Sequence, residues 1–216
     1  FSVPSSLCLT GLWGLVKAFD KKETPENFIH PPIPNLFPRT LRDPHKIFSK
    51  IKNEDMLLHH PYDSFDAYVA WMHTVACDPH VTRIEQTIYR SDSLSPVVED
   101  LKLAAKNGKE VRVLIELRAR FDELNNLKLA EELRQSGVKV AFGFGKLKLH
   151  AKLSLVTRVE DGQEVLYTHL STGNYHAGTA RSYTDLAIFT AQAEMGADAK
   201  HFFDKAWKGE VPTSFK

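Results

Sequence analysis

From about residue 44 onward the apolar positions recur in two rhythms. One is the three-to-four-residue spacing of a helix that buries a single face. The other is the short apolar run, bounded by turn residues, of a buried strand. Ile47–Ile51 predicts a short helix. Ser64 is placed to cap a helix over Phe65–Ala76, where Phe65, Tyr68, Val69 and Met72 fall at helical spacing. Val81–Tyr89 is rich in β-branched residues and predicts a strand. Pro96–Asn107 predicts a helix, opened by Ser95 and Pro96 and closed by Gly108. Glu110–Leu117 reads as a buried strand, Asp122–Ser136 as a helix closed by Gly137, and Val138–Phe142 as another strand. This βαβαβ run predicts parallel pairing with right-handed crossovers. Then the rhythm changes. Leu147–Arg158, Val165–Leu170 and Asp185–Thr190 predict strands, the first two joined by a hairpin-like turn at Glu160-Asp161-Gly162. A last helix is expected over about Gly196–Trp207. The expected fold is α/β, a mixed sheet with helices on both faces.

Residues 1 to about 45 follow neither rhythm. Pro31, Pro32, Pro34 and Pro38 crowd a short stretch and predict an extended linker, because proline fixes φ and removes a donor. Leu9–Ala18 predicts a short helix before it. The 216 residues suffice for one domain of about 150 residues plus an appendage. Hydrophobic residues make up 43% and charged residues 25%, and no apolar run approaches the roughly 20 residues that span a bilayer. Phe1–Gly14 lacks the basic start of a secretory leader, and a chain beginning with Phe1 is expected to be a piece of a longer one. Cys8 and Cys77 match no metal or redox spacing and are expected to be unpaired thiols.

A net charge of +1 gives no bulk attraction for nucleic acid or membrane. Locally the balance differs. No acidic residue lies between Glu132 and Glu160, while Arg134, Lys139, Lys146, Lys148, Lys152 and Arg158 are all basic. Such a run predicts a surface that collects a polyanion, or else a chance gap in the acids on a solvated surface.

The chemistry concentrates in Lys148-Leu149-His150-Ala151-Lys152. If this is strand, Lys148, His150 and Lys152 share one face, and Leu147, Leu149, Ala151 and Leu153 share the other, core-facing one. An imidazole between two ammonium groups suits a phosphate, and like-charge repulsion keeps it neutral and nucleophilic. On spacing alone the same residues also describe an ordinary exposed strand face. Downstream, Ser171-Thr172-Gly173-Asn174 supplies a small-residue turn and an amide. His-x-Lys followed by such a turn resembles the phospholipase D superfamily. That superfamily's motif places an Asp five residues after the Lys, where this chain has Thr157. The missing acid argues against phosphodiester hydrolysis.

Five blocks, two of them containing these residues, sharpen the resemblance. They are His59-His60-Pro61-Tyr62-Asp63-Ser64-Phe65; Gln86-Thr87-Ile88-Tyr89-Arg90 with Ser95-Pro96; Glu116 through Glu123; Leu147 through Lys152; and Thr172-Gly173-Asn174-Tyr175 with Thr179-Ala180-Arg181 and Tyr183-Thr184-Asp185. In order and spacing, over residues 9 to 206, they resemble the polyphosphate kinase family. The resemblance implies that residues 46–205 form the first of that family's two phospholipase-D-like catalytic domains. It makes residues 1–45 the tail of a preceding head domain with its linker, and residues 206–216 a link to a second phospholipase-D-like domain. It implies reversible transfer of the ATP γ-phosphate to polyphosphate, releasing ADP, through a phosphohistidine at His150, with Lys152 and Asn174 on the phosphoryl group. It also implies Mg2+ near Arg90 and Arg120, held through phosphate oxygens because an arginine cannot ligate a cation, and Tyr183 stacked on adenine. Lys148 and Arg181 would contact phosphate. Glu116 shares a face with Arg118 and Arg120 and is expected to orient a guanidinium. The location implied is cytoplasmic or peripheral at the inner membrane, as a homo-oligomer. A single domain is expected to be nearly inactive alone. Ser171, His176, Ala177 and Gly178 depart from the family pattern beside the phosphate turn. The rival readings are a phospholipase-D-like hydrolase completed by a dimer partner and a polyphosphate-binding module without catalysis. His59 and His60, adjacent in an extended segment, are expected to face opposite ways and to be structural rather than metal ligands.

Overall fold

Parallel pairing follows from the crossover helices, and it is what the computed structural model shows. It describes residues 35–89, 95–117, 123–144 and 147–215, with positions 11, 12, 14 and 18. Strand β2 (Val81–Ile88) pairs parallel with β3 (Glu110–Ile115), and β3 parallel with β4 (Lys139–Phe142). Helices α3 (Pro96–Lys106) and α4 (Glu123–Gln135) make the two crossovers. Earlier in the chain come α1 (Ile47–Asn53), β1 (Met56–His60) and α2 (Asp66–Cys77). Later come β5 (Lys152–Glu160), β6 (Gln163–Ser171), the one-turn α5 (Ala177–Ala180), β7 (Asp185–Thr190) and α6 (Ala193–Trp207). The sheet has seven strands in the order β1-β7-β6-β5-β2-β3-β4. Every pairing from β1 through β2 is antiparallel, so the sheet is mixed, as expected.

Two hydrophobic clusters separate its faces. Alternation puts Val111, Val113 and Ile115 of β3 on one side, packed with Trp71 and Met72 of α2, Leu101 of α3 and Leu129 of α4. Leu114 points to the other side and joins Leu153 and Leu155 of β5 beneath Ala199, Phe203 and Ala206 of α6. Helices therefore cover both faces. Phe203, 1% exposed, anchors the second layer; its truncation to Ala costs about 3–5 kcal/mol.

Local signals explain the boundaries. β5 and β6 meet through a two-residue loop in which Asp161 (φ 51°) and Gly162 (φ 79°) are both left-handed, the combination a tight hairpin requires. Ser64 Oγ accepts from Asp66 N at 3.1 Å, so the cap lies one residue outside the assigned Phe65 N-cap. The last helix begins three residues before its expected start. The strand expected over Leu147–Arg158 begins only at Lys152, so residues 147–151 are an irregular lead-in. β1 was not expected at all; it exists through its pairing with β7, Met56 against Phe189 to His60 against Asp185.

The chain divides into two units, Phe1–Pro34 and Asn35–Lys216. Of the expected helix Leu9–Ala18, positions 11, 12, 14 and 18 are described; position 11 is in a 3-10 turn and the other three are α-helical. Pro31, Pro32 and Pro34 lie outside the described residues, as does Cys8; Cys77 is a free, exposed thiol. Among the described residues no helix is long and apolar enough to cross a membrane.

Candidate active site

The register gathers one end of the sheet. Lys152 opens β5 opposite Ser171, the last residue of β6, and His60 closes β1 opposite Asp185, the first of β7. The parallel strands β2 and β3 finish at the same end with Ile88 against Ile115. Sites in parallel sheets collect at these carboxyl ends because the strands deliver loops there that no neighbour covers.

His150 lies in the lead-in to β5 and is exposed. Lys152 Nζ lies 3.0 Å from His150 Nε2 and donates to His150 O at 2.7 Å. An ammonium has only protons to offer, so the facing Nε2 carries its lone pair and the ring proton sits on Nδ1. Desolvation by its neighbours pushes the imidazole below its usual value, as do the like charges of Lys152 and then Lys148, with Glu116 pulling the other way. Lys152, 5% exposed, is itself pushed down by burial, against the pull of Asp185 and with the help of Lys148. The direction is the one expected from the two lysines, although burial leads their repulsion as the cause.

What gathers these groups is not strand alternation. Lys148 and His150 precede the strand, so the shared-face expectation does not apply to them. Leu147, expected in the core, is 52% exposed, while Leu149 and Leu153 are buried. The organiser is Tyr89, just past β2. Its ring meets His150 edge-on at 5.1 Å and 84°, and lies 5.0 Å from Lys148 Nζ and 5.5 Å from Lys152 Nζ. An edge-on imidazole and two cations fit the quadrupole of one ring. Tyr89 was not singled out from sequence beyond its block, because an aromatic at a strand end reads as core.

Asn174 leaves the strand end that Lys152 pairs with, and its Oδ1 is buried without a partner among the described residues. The turn before it is tight for a reason. A Cβ on Gly173 would stand 2.5 Å from Asp185 Oδ2, so only glycine lets the backbone pass that carboxylate. Thr172 Oγ1 donates to Asp185 Oδ1 at 2.8 Å and accepts from Leu186 N at 3.0 Å, locking turn to strand. Beneath lies an aromatic layer. Tyr175 stacks on Tyr68 at 4.6 Å, and its hydroxyl lies 3.0 Å from Nδ1 of the fully buried His169. Tyr68 donates to Gln86 Oε1 at 2.7 Å.

The remaining expectations divide. Tyr183 (64% exposed) and Arg181 follow the α5 turn and are exposed, and their described contacts do not reach His150. Arg90, Arg118, Arg120 and Lys146 lie outside the described residues. The basic run is not one patch. Lys139 pairs with Glu110 at 2.8 Å, and Arg158, at the far end of β5, pairs with Asp78 and Glu160 at 3.1 and 2.9 Å. A run along a strand spreads over its whole length, so of the described members only Lys148 and Lys152 meet at His150. His59 is exposed and His60 buried, facing opposite ways as expected. Thr157, where the phospholipase motif has Asp, is buried in mid-strand. Among the described residues no group of three or more His, Cys, Asp or Glu could hold a metal ion. The described side chains therefore do not build a Mg2+ cage.

Comparison with known proteins bears on this geometry. Residues 46–210 match the family described as Polyphosphate kinase C-terminal domain 1. A polyphosphate kinase of Xylella fastidiosa is 48% identical over 170 residues, 79% of this chain and 24% of that protein. One from Bacillus anthracis is 43% identical over 179 residues, 83% of this chain and 26% of that protein. The chain thus spans about a quarter of the length of the curated relatives it matches. The crystal structure of polyphosphate kinase from Porphyromonas gingivalis superposes with a TM-score of 0.76 at 33% identity, over 89% of this chain and 33% of that one. Nuc, a phospholipase D family member from Salmonella typhimurium, superposes at 0.57 with 14% identity, over 72% of this chain and 95% of that one, a likeness of fold alone.

Proposed function

Because the chain belongs to the polyphosphate kinase family, as that family's C-terminal domain 1, we propose that it supplies the nucleophile of the parent enzyme, His150. The reaction would be reversible transfer of the ATP γ-phosphate to polyphosphate. The observation that carries this reading is the 3.0 Å approach of Lys152 Nζ to His150 Nε2. It leaves a lone pair on a neutral ring and holds a cation where phosphoryl oxygens would arrive. In the first step the Nε2 pair attacks the γ-phosphorus. An N–P bond forms, the bond to the bridging oxygen breaks, and ADP leaves with that electron pair. In the second, a terminal oxygen of polyphosphate attacks the same phosphorus and the N–P pair returns to Nε2. Lys152 shifts from Nε2 to the phosphoryl oxygens, and the Asn174 amide, Lys148, Arg90 and Arg120 hold the rest of the charge.

Mg2+ would enter with the nucleotide phosphates, and no step of this chemistry runs through it. Tyr183 and Arg181 are assigned to ATP, which requires their exposed segment to close on it. Residues 46–205 are the catalytic domain in this reading, 1–45 the preceding tail and linker, and 206–216 the link onward. A second phospholipase-D-like domain of the same chain supplies the facing half of the site, in a cytoplasmic homo-oligomer associated with the inner-membrane periphery. The domain alone is then nearly inactive. The test is labelling of the full-length parent with Mg2+ and [γ-32P]ATP. An acid-labile, base-stable phosphoprotein is expected, and it disappears with His150→Ala. Label retained in that variant overturns the assignment.

A further inference from the structure

The segment that carries His150 has no ladder of its own, so side chains and packing must fix it. Leu147 N donates to Phe144 O at 2.8 Å, and Thr87 Oγ1 donates to Ala151 O at 2.8 Å. Gly143 passes so close that a Cβ there would stand 2.8 Å from Leu149 Cβ. Between these, Leu149 N donates to Glu116 Oε2. That carboxylate is 3% exposed. A buried carboxylate holding a main-chain amide one residue from a nucleophile is a costly arrangement unless the position it fixes matters.

Glu116 is placed in turn by Asn126 on α4, which is fully buried. One amide, Nδ2, donates to Tyr89 O at 3.1 Å and to Glu116 O at 2.8 Å. It ties together the ends of β2 and β3. The first end carries the ring against His150; the second carries the carboxylate on the loop. Glu116 N completes the tie by donating to Ile88 O at 3.0 Å.

We propose that Glu116, held by Asn126, is a positioning residue for His150: its carboxylate fixes the peptide at Leu149 and sets a negative charge against the two lysines. This rests on the reading of His150 as the nucleophile. Among the described residues, the groups acting on the imidazole are Lys148 in its own loop, Lys152 on β5, the Tyr89 ring after β2 and Glu116 after β3, with Asp185 of β7 acting on Lys152. Among the described residues, Glu116 is the charge that favours the ring's protonated form. It limits how far the lysines strip the ring of basicity, and nucleophilic strength falls with basicity. The guanidinium-orienting role expected from sequence involves Arg118 and Arg120, outside the described residues; the role on Leu149 stands apart from it.

The experiment is NMR on the 216-residue chain, following the His150 ring resonances against pH and hydrogen exchange at the Leu149 amide. Glu116→Gln keeps an oxygen for Leu149 N and removes the charge. It should leave Leu149 protected while the His150 midpoint moves to lower pH. Glu116→Ala should speed Leu149 exchange about tenfold, the loss of one buried hydrogen bond, and Asn126→Asp, which loses both Nδ2 donations that hold Glu116 and the end of β2, should speed it as well. An unmoved His150 midpoint in Glu116→Gln overturns the proposal, as does wild-type exchange at Leu149 in Glu116→Ala. Should Glu116→Ala fail to fold, the Gln variant decides by its midpoint. No ATP or polyphosphate is involved, so failure here is distinct from failure of the labelling test.

Discussion

His169 should make this fold acid-sensitive well before its carboxylates do. The ring is fully buried, its centroid 4.4 Å from both Tyr68 and Phe189, and its Nε2 has no hydrogen-bond partner among the described residues. Burial, and then the neighbouring His60, push its pKa down to about 3. In the unfolded chain it returns to about 6.5. The folded value is the lower one, so between these limits the unfolded chain binds the extra proton. Stability is full above pH 6.5 and is lost as pH falls towards 3. At 1.36 kcal/mol per unit, the loss by pH 4.5 is about 3 kcal/mol, a large part of a typical domain's 5–15. Glu110, held at about 2 chiefly by Lys139, and Glu160, where hydrogen bonds from Lys52, Tyr167 and Arg158 prevail over burial, weaken the fold only below about pH 4.5. Glu85 and Asp100, pushed up by burial, bind protons in the folded state and act in the opposite sense, so the contribution of His169 is read from the difference between the wild type and a variant that lacks it. Urea unfolding at pH 7.5 and 4.5 should be compared for the wild type and His169→Gln. The variant is less stable at pH 7.5, through lost ring packing, but the gap should shrink by about 3 kcal/mol at pH 4.5. A gap that stays constant within about 0.5 kcal/mol would show that burial of a neutral His169 is not what acid undoes.

Three further outcomes test the site in the full-length parent. Lys152→Met removes the nearer like charge, so the His150 titration should move up, and the acid limb of phosphorylation with it; a limb that stays put separates the lysine from the histidine. Tyr89→Ala should slow labelling about tenfold, the worth of roughly 1.4 kcal/mol of cation–π and edge contacts, whereas Tyr89→Phe keeps the ring and most of the rate. Gly173→Ala drives a methyl into Asp185, so the Thr172–Asp185 bond should break; an Asp185→Ala background, which clears the space, should relieve much of that loss in melting temperature.

Much of the scaffold was legible in the chain. The βαβαβ run from Val81 to Phe142 predicts its own parallel order, since a strand followed by a helix of one apolar face has a single way to return. The Asp161-Gly162 turn announces the β5–β6 hairpin because few residue pairs accept two positive φ angles. His-x-Lys and the Thr172-Gly173-Asn174 turn stand out for a similar reason: each sets a chemistry or a backbone path within a few residues. What the tertiary structure alone decided is non-local. β1 is five residues whose alternate burial arises from β7, about 130 positions away, and no local period announces it. The basic run looks like one field along the chain, but in space β5 carries Arg158 and Lys152 to opposite ends, and Lys139 is claimed by Glu110. Lys148 and His150 meet on the ring of Tyr89 rather than on a strand face, because β5 starts two residues after the histidine. The carboxylate behind them became visible only when Asn126, on a helix, tied the ends of two strands together. Spacing within a segment selects the residue types of such a site; which of them touch is set by pairings across the sheet, and those depend on energies summed over the whole fold.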